Sequence, residues 1–195
     1  SINTTEEHLA DVIEPDKLTP KTMFYTPTVQ NQVEELTQFF APEQYTKIRE
    51  RMQERGFRLG FTCLFHGGPG RGKTETVYQL ARATGRSIMT VDVPSIKSKW
   101  VGDSEKNIKA LFDRYRSLVK RAGEAPILLF NEADAIIGIR KAGAQNAVDK
   151  MENTLQNIIL QEMETLDGIM IATTNLTENL DSAFERRFLY KIRLI

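Results

Sequence analysis

Residues 61–74 read FTCLFHGGPGRGKT. A short apolar run ends in a glycine-rich turn, and residues 67–74 satisfy G-x-x-x-x-G-K-[ST] in full. The pattern predicts a strand before the turn and a helix from Lys73 onward. Its residue types follow from anion chemistry. Glycines let the backbone curl so that several N–H groups point inward at phosphate oxygens. The start of the helix adds the positive end of its dipole. Lys73 can reach the β- and γ-phosphates, and the Thr74 hydroxyl can ligate Mg²⁺. A glycine-rich turn that matched by chance would lack the flanking strand and helix.

Working outward, strands and helices alternate. The predicted strands are Phe61 to His66, Ser87 to Val93, Ile127 to Phe130, Ile169 to Thr173 and Tyr190 to Ile195. Between them lie predicted helices at Lys73 to Ala83, Ser104 to Arg121 and Ala147 to Leu166. This alternation predicts an α/β sandwich with a parallel sheet covered by helices on both faces. Nearly continuous apolar strands such as ILLF fit a sheet buried on both sides. Upstream, Val29, Val33, Leu36, Phe39 and Phe40 recur at helical spacing, and Pro42 fits the first position of a second helix stopped by Gly56. Residues 1–22 show no periodicity and are expected to be a loosely ordered lead-in, with the domain proper spanning residues 23–195.

The whole chain has 195 residues, enough for one domain with a short appendage. Its 26 basic and 26 acidic residues cancel, so no global field recruits nucleic acid or an anionic membrane. No apolar run approaches the about 20 residues of a membrane helix. Ser1 to Ala10 is polar and acidic, unlike a signal peptide. The missing initiator methionine suggests a processed or excised piece. A single cysteine, Cys63, fits a reducing compartment, so a cytoplasmic location is expected. His8 and His66 belong to no Cys/His cluster, which argues against zinc. Lys106, Lys109, Arg114, Arg116, Lys120 and Arg121 alternate with apolar positions and read as a solvated face or subunit contact, not a DNA footprint.

Residues 127–134, ILLFNEAD, place acids at the end of an apolar strand, where parallel sheets bind ligands. The segment resembles a Walker B element in which Asn131 stands at the first acid's position. Asn131 keeps an oxygen acceptor for the metal shell but loses the charge. Glu132 is placed to orient or activate the attacking water. Three readings of Asn131 remain open: a natural and active site, an engineered nucleotide trap, or a non-hydrolysing ATP switch. Retention of Lys73, Thr74 and Glu132 favours the first.

With both motifs in hand, residues 24–195 resemble the large nucleotide-binding subdomain of an AAA+ ATPase. The resemblance implies a five-stranded parallel sheet of order 5-1-4-3-2, binding of ATP or ADP with Mg²⁺, and hydrolysis. It assigns Gly68, Pro69, Gly70, Arg71, Gly72, Lys73, Thr74 and Glu75 to the nucleotide, and Thr74 and Asn131 to the metal. IATTN, residues 171–175, resembles the sensor-1 strand, so that Asn175 holds the water and γ-phosphate. LDSAFERRF, residues 180–188, resembles the segment that carries arginine fingers. Arg187 is the first choice for a finger that reaches a neighbouring subunit's γ-phosphate, and Arg186 the second. KWVGDSE, residues 99–105, resembles a pore loop in which Trp100, Val101 and Gly102 project into the channel of a ring, with a second loop over Arg140 to Val148.

The resemblance thus implies a ring, hexameric in the full-length protein, acting on a protein client. Three functions fit: a remodelling or unfolding motor, an assembly chaperone or nucleotide switch, and a nucleic-acid-directed loader. Trp100 and Gly102 favour the first two. The chain departs from the family pattern at Asn131 and in ending at Ile195, without the small helical lid. Weak nucleotide affinity and little steady-state turnover are therefore expected of this piece alone.

Overall fold

Alternation of side chains sets the sheet between two cores. The computed structural model describes residues 10–99, 104–122, 124–138 and 147–195. Its strands are β1 (Ala10–Ile13), β2 (Phe61–His66), β3 (Ile88–Asp92), β4 (Ile127–Asn131), β5 (Ile169–Thr174) and β6 (Tyr190–Arg193). On β4, Ile127 and Leu129 enter one buried cluster while Leu128 and Phe130 enter the other. On β5, Ile169 and Ile171 take the first side, Met170 and Ala172 the second. Apolar side chains on both faces are what a doubly covered parallel sheet requires.

The helices are α1 (Pro27–Phe40), α2 (Pro42–Glu54), α3 (Lys73–Thr84), α4 (Val93–Lys99), α5 (Ser104–Ala122), α6 (Asp134–Ile137), α7 (Ala147–Glu164) and α8 (Ser182–Arg187). Prolines open α1 and α2 at the position where a missing N–H costs nothing. Leu36 and Phe40 of α1, with Val77, Leu80 and Ala81 of α3, cover one face. Ile108, Phe112 and Tyr115 of α5, with Leu155, Ile159 and Met163 of α7, cover the other.

The sheet corrects two expectations. Among the described residues it has six strands in the order β1-β3-β4-β5-β2-β6. The five parallel strands keep their relative places, and the sixth, β1, is added antiparallel to β3, pairing Ala10 with Val91 and Ile13 with Ile88. Residues 10–22, expected to be loosely ordered, therefore hold a strand and a 3₁₀ turn over Pro15–Lys17. Four residues of strand are too short for period-2 alternation to show. What orders them is the unpaired edge of β3, which β1 covers. The Arg114 guanidinium fixes the strand from outside, donating to the Ala10 carbonyl at 2.7 Å.

Candidate nucleotide site

The glycine-rich turn leaves β2 and enters α3 at the carboxyl edge of the sheet. Two of its glycines are required sterically. Gly67 has φ +146°, and a Cβ there would lie 2.3 Å from the Leu194 carbonyl oxygen. Gly72 has φ +78°, and a Cβ there would approach the Met23 methyl at 2.9 Å. The Leu194 backbone leaves no room for a side chain at Gly67, while at Gly72 the Met23 methyl could give way and it is the positive φ that disfavours an L residue.

Lys73 follows directly and is buried. Its ammonium donates to the Gly67 and Gly68 carbonyls, both at 2.8 Å. Burial pulls its pKa down; Asp134 opposes that, Arg71 adds to it and Glu132 opposes it. The charge thus pins the glycine-rich turn.

The ends of β4 and β5 are joined by a hydroxyl network. The Asn131 side-chain oxygen accepts from the Thr74 hydroxyl at 2.7 Å and the Thr173 hydroxyl at 2.8 Å. The Thr173 oxygen in turn accepts the Glu132 backbone N–H at 3.0 Å. Glu132 sits at φ +54°, a left-handed conformation that non-glycine residues adopt at a cost, and its side chain is exposed. One residue pair on, an Asp134 carboxylate oxygen accepts the Thr174 hydroxyl at 2.6 Å and the Asn175 backbone N–H at 3.0 Å.

These residues share one cleft of ≈ 340 Å³, walled by Pro69 through Glu75, Asn131, Glu132, Thr173, Thr174 and Asn175. The sequence-predicted phosphate, water and sensor positions therefore converge. Gly68 reaches them through its carbonyl on Lys73. Glu75 turns partly aside, accepting from Gln79 at 2.9 Å and pairing with Lys21 at 3.6 Å. Sequence reading missed the roles of Thr173, Thr174 and Asp134. The available signal was polar residues where an apolar strand ends.

The arginine pair stands apart from this cleft. Arg187 pairs with Glu164 at 2.6 Å and donates to the Ala183 carbonyl at 3.2 Å. Its own carbonyl accepts from the Thr62 hydroxyl at 2.6 Å, which ties α8 to β2. Arg186 is exposed. Trp100, Val101 and Gly102 lie outside the described residues, as do 140–146 of the second predicted loop. Within the basic series on α5, Arg116 meets Asp113 at 3.1 Å and also Glu162, Lys109 meets Glu105 at 3.4 Å, and Arg114 holds the Ala10 carbonyl. Among the described residues, no group of three His, Cys, Asp or Glu could hold a metal, and no helix is long and apolar enough to cross a membrane. Cys63 is fully buried, and burial pushes its thiol well up.

Residues 63–194 match the model of the ATPase family associated with various cellular activities (AAA). The match spans the turn, both acidic and sensor strand ends, and the arginine segment. The chain belongs to the AAA family of ATPases. This AAA chain is 33% identical over 145 residues to Cell division protein C of Sulfolobus acidocaldarius, covering 70% of this chain and 37% of that protein. It is 37% identical over 129 residues to the Ribosome biogenesis ATPase RIX7 of Saccharomyces cerevisiae, covering 63% and 15%. It is 30% identical over 148 residues to Protein CdcH of Halobacterium salinarum, covering 74% and 18%. The AAA chain thus spans little more than a third of the length of these relatives at most.

Proposed function

We propose that this AAA module binds ATP and ADP with Mg²⁺, hydrolyses ATP, and in its full-length protein couples nucleotide state to remodelling of a protein client within a ring. The observation that carries the reading is the convergence of Lys73, Thr74, Asn131, Glu132 and Asn175 on one cleft. In-line phosphoryl transfer needs positioning and charge stabilisation more than covalent help, and these groups supply both. Lys73 and the loop amides hold phosphate. Glu132 accepts the proton of the attacking water. Asn175, steadied by Asp134, faces the γ-phosphate from the side opposite the turn.

Thr74 and Asn131 present oxygen atoms 2.7 Å apart at one wall of the cleft, the hard ligands that Mg²⁺ takes. The cation, when bound there, neutralises charge on the β- and γ-phosphates. Thr173 keeps the Asn131 oxygen aimed at the cleft from the other side.

Arg186 and Arg187 act on a neighbouring copy. Their distance from their own cleft and the exposure of Arg186 support this reading. Trp100, Val101 and Gly102 grip the client as extended polypeptide, through apolar contact. Balanced charge speaks for a protein client rather than nucleic acid, and the lone buried cysteine suits a reducing, cytoplasmic setting. A Glu132→Gln variant of the full-length protein tests the chemistry. Nucleotide affinity is expected to persist while hydrolysis falls by about 10² to 10⁴. Hydrolysis at the original rate refutes the assignment.

A second reading, an ATP-binding assembly switch with weak turnover, draws on the neutral Asn131. An Asn131→Asp change that tightens Mg²⁺ binding and raises turnover together favours it; a change in neither favours the motor.

A further inference from the structure

A second cavity lies at the opposite end of the sheet, where the loops feeding β3, β4 and β5 meet α2. Arg86 enters from the loop before β3 and is 1% exposed. Its Nε donates to the Phe40 carbonyl at 2.8 Å and its Nη1 to the Ala125 carbonyl at 2.7 Å. Its Cζ sits 4.6 Å from the centre of the Tyr45 ring. The remaining nitrogen, Nη2, is buried and has no acceptor, and the Tyr45 hydroxyl is likewise buried with no partner. Buried polar groups are nearly always satisfied, so two unpaired donors on residues that line one cavity point to a missing acceptor.

Both residues line a cavity of ≈ 350 Å³ with Arg49, Lys120, Glu124 and Asp167. That volume falls within the range of small-molecule sites. Asp167 engages Arg49 through both carboxylate oxygens, one of them accepting from Nε at 2.9 Å, so this pair cancels. Arg86 and Lys120 against Glu124 leave one excess positive charge (two minus one). Burial holds the Tyr45 hydroxyl up at about 12, so it remains a donor at neutral pH.

We propose that this cavity is a second ligand site, separate from the nucleotide cleft, for a carboxylate whose oxygens accept from Arg86 Nη2 and the Tyr45 hydroxyl. A planar carboxylate presents two acceptor oxygens to the two donors, and the bond from the guanidinium nitrogen is charge-assisted. A single negative charge balances the single excess cation, whereas a phosphate dianion would not. The ligand comes either from a free small carboxylate or from a polypeptide's carboxyl terminus.

The test uses the full chain with its nucleotide cleft filled by ADP, so that the phosphate loop cannot report the anion. Sodium acetate, a tripeptide with a free carboxyl terminus and the same peptide amidated are titrated against chloride at constant ionic strength. Thermal shift and the backbone amide resonances of Arg86 and Glu124 are followed. Acetate or the free peptide is expected to saturate and the amidated peptide not to. Tyr45→Phe keeps the ring on the Arg86 guanidinium and removes only the donor, and Lys120→Glu reverses the rim charge. Each is expected to weaken binding roughly tenfold, with ADP affinity unchanged. Saturation by acetate identifies a small carboxylate as sufficient; saturation by the free peptide alone identifies a chain terminus. Three results overturn the proposal: no saturation beyond chloride, equal saturation in both variants, or an ordered water that bridges the two donors and persists in acetate.

Discussion

At the carboxyl ends of β4 and β5, short polar side chains hold one another across neighbouring strands: Asn131 takes two hydroxyls, and Asp134 takes a hydroxyl and an amide. At the amino ends of the same sheet, one long buried cation spans the gap, with Arg86 reaching Phe40 and Ala125. The first arrangement leaves a cleft open to solvent with Lys73 on its wall. The second ties the base of the fold together through a buried charge that borders a cavity. The contrast teaches that a parallel sheet gathers chemistry at one end only if the other is tied down. Strand ends that frayed at the base would let the register of Asn131 and Thr173 drift.

The contrast can be broken most severely at Lys73. Lys73→Ala removes both the phosphate charge and the clasp on Gly67 and Gly68. Hydrolysis by the full-length protein is expected to fall by about 10² or more, and folding stability by only about 1 kcal/mol, because the freed carbonyls border an open cleft where water can reach them. A phosphate-release assay paired with a thermal melt checks both halves. The reverse pattern is expected at the base. Arg86→Ala leaves two buried carbonyls without donors and a void beneath α2, which should cost about 3 kcal/mol of stability. Urea unfolding measures it; a loss below about 1 kcal/mol would mean that the base is not clamped by this residue.

Smaller effects sharpen the picture at the open end. Thr173→Val keeps the volume but deletes the hydroxyl shared by Asn131 and the Glu132 N–H. Turnover is expected to drop roughly ten- to a hundredfold, through misplacement, with nucleotide affinity near normal. A combined loss of affinity and turnover would show that the hydroxyl shapes the phosphate pocket instead. His66, at the mouth of the turn, supplies the mildest test. Burial first, then Arg193, Lys191 and Lys73, hold its imidazole below the ordinary 6.5. The unfolded chain therefore protonates at a higher pH than the folded one. Stability should be complete above about 6.5 and decline as pH drops below it. Thermal melts across pH 5 to 8 should show this slope in the wild type and less of it in His66→Gln.

Much of the open end was legible from residue types. Glycines with a following Lys-Thr pair have few uses besides phosphate, and an apolar run that ends in acids marks a parallel strand reaching a ligand. The partners of those motifs were not legible. Thr173 and Asp134 matter because of hydrogen bonds between residues 40 or more positions apart, which no local pattern records. Nothing near Arg86 in sequence announces that Phe40 and Ala125 will close over it. The β1 strand escaped for a related reason: its order comes from the edge it covers.

The amino-acid sequence by itself determined the alternating α/β layout, the phosphate turn and the identity of the residues at the strand ends, because each depends on chemistry within a dozen neighbours. Tertiary structure alone decided the sixth strand, the hydroxyl bridges that hold Asn131, the Asp134 carboxylate that takes the Asn175 backbone N–H, the Glu164 contact that occupies Arg187, and the buried guanidinium at the base. Those features are agreements between distant segments about hydrogen bonds and charge, and they come into being only when packing brings the segments together.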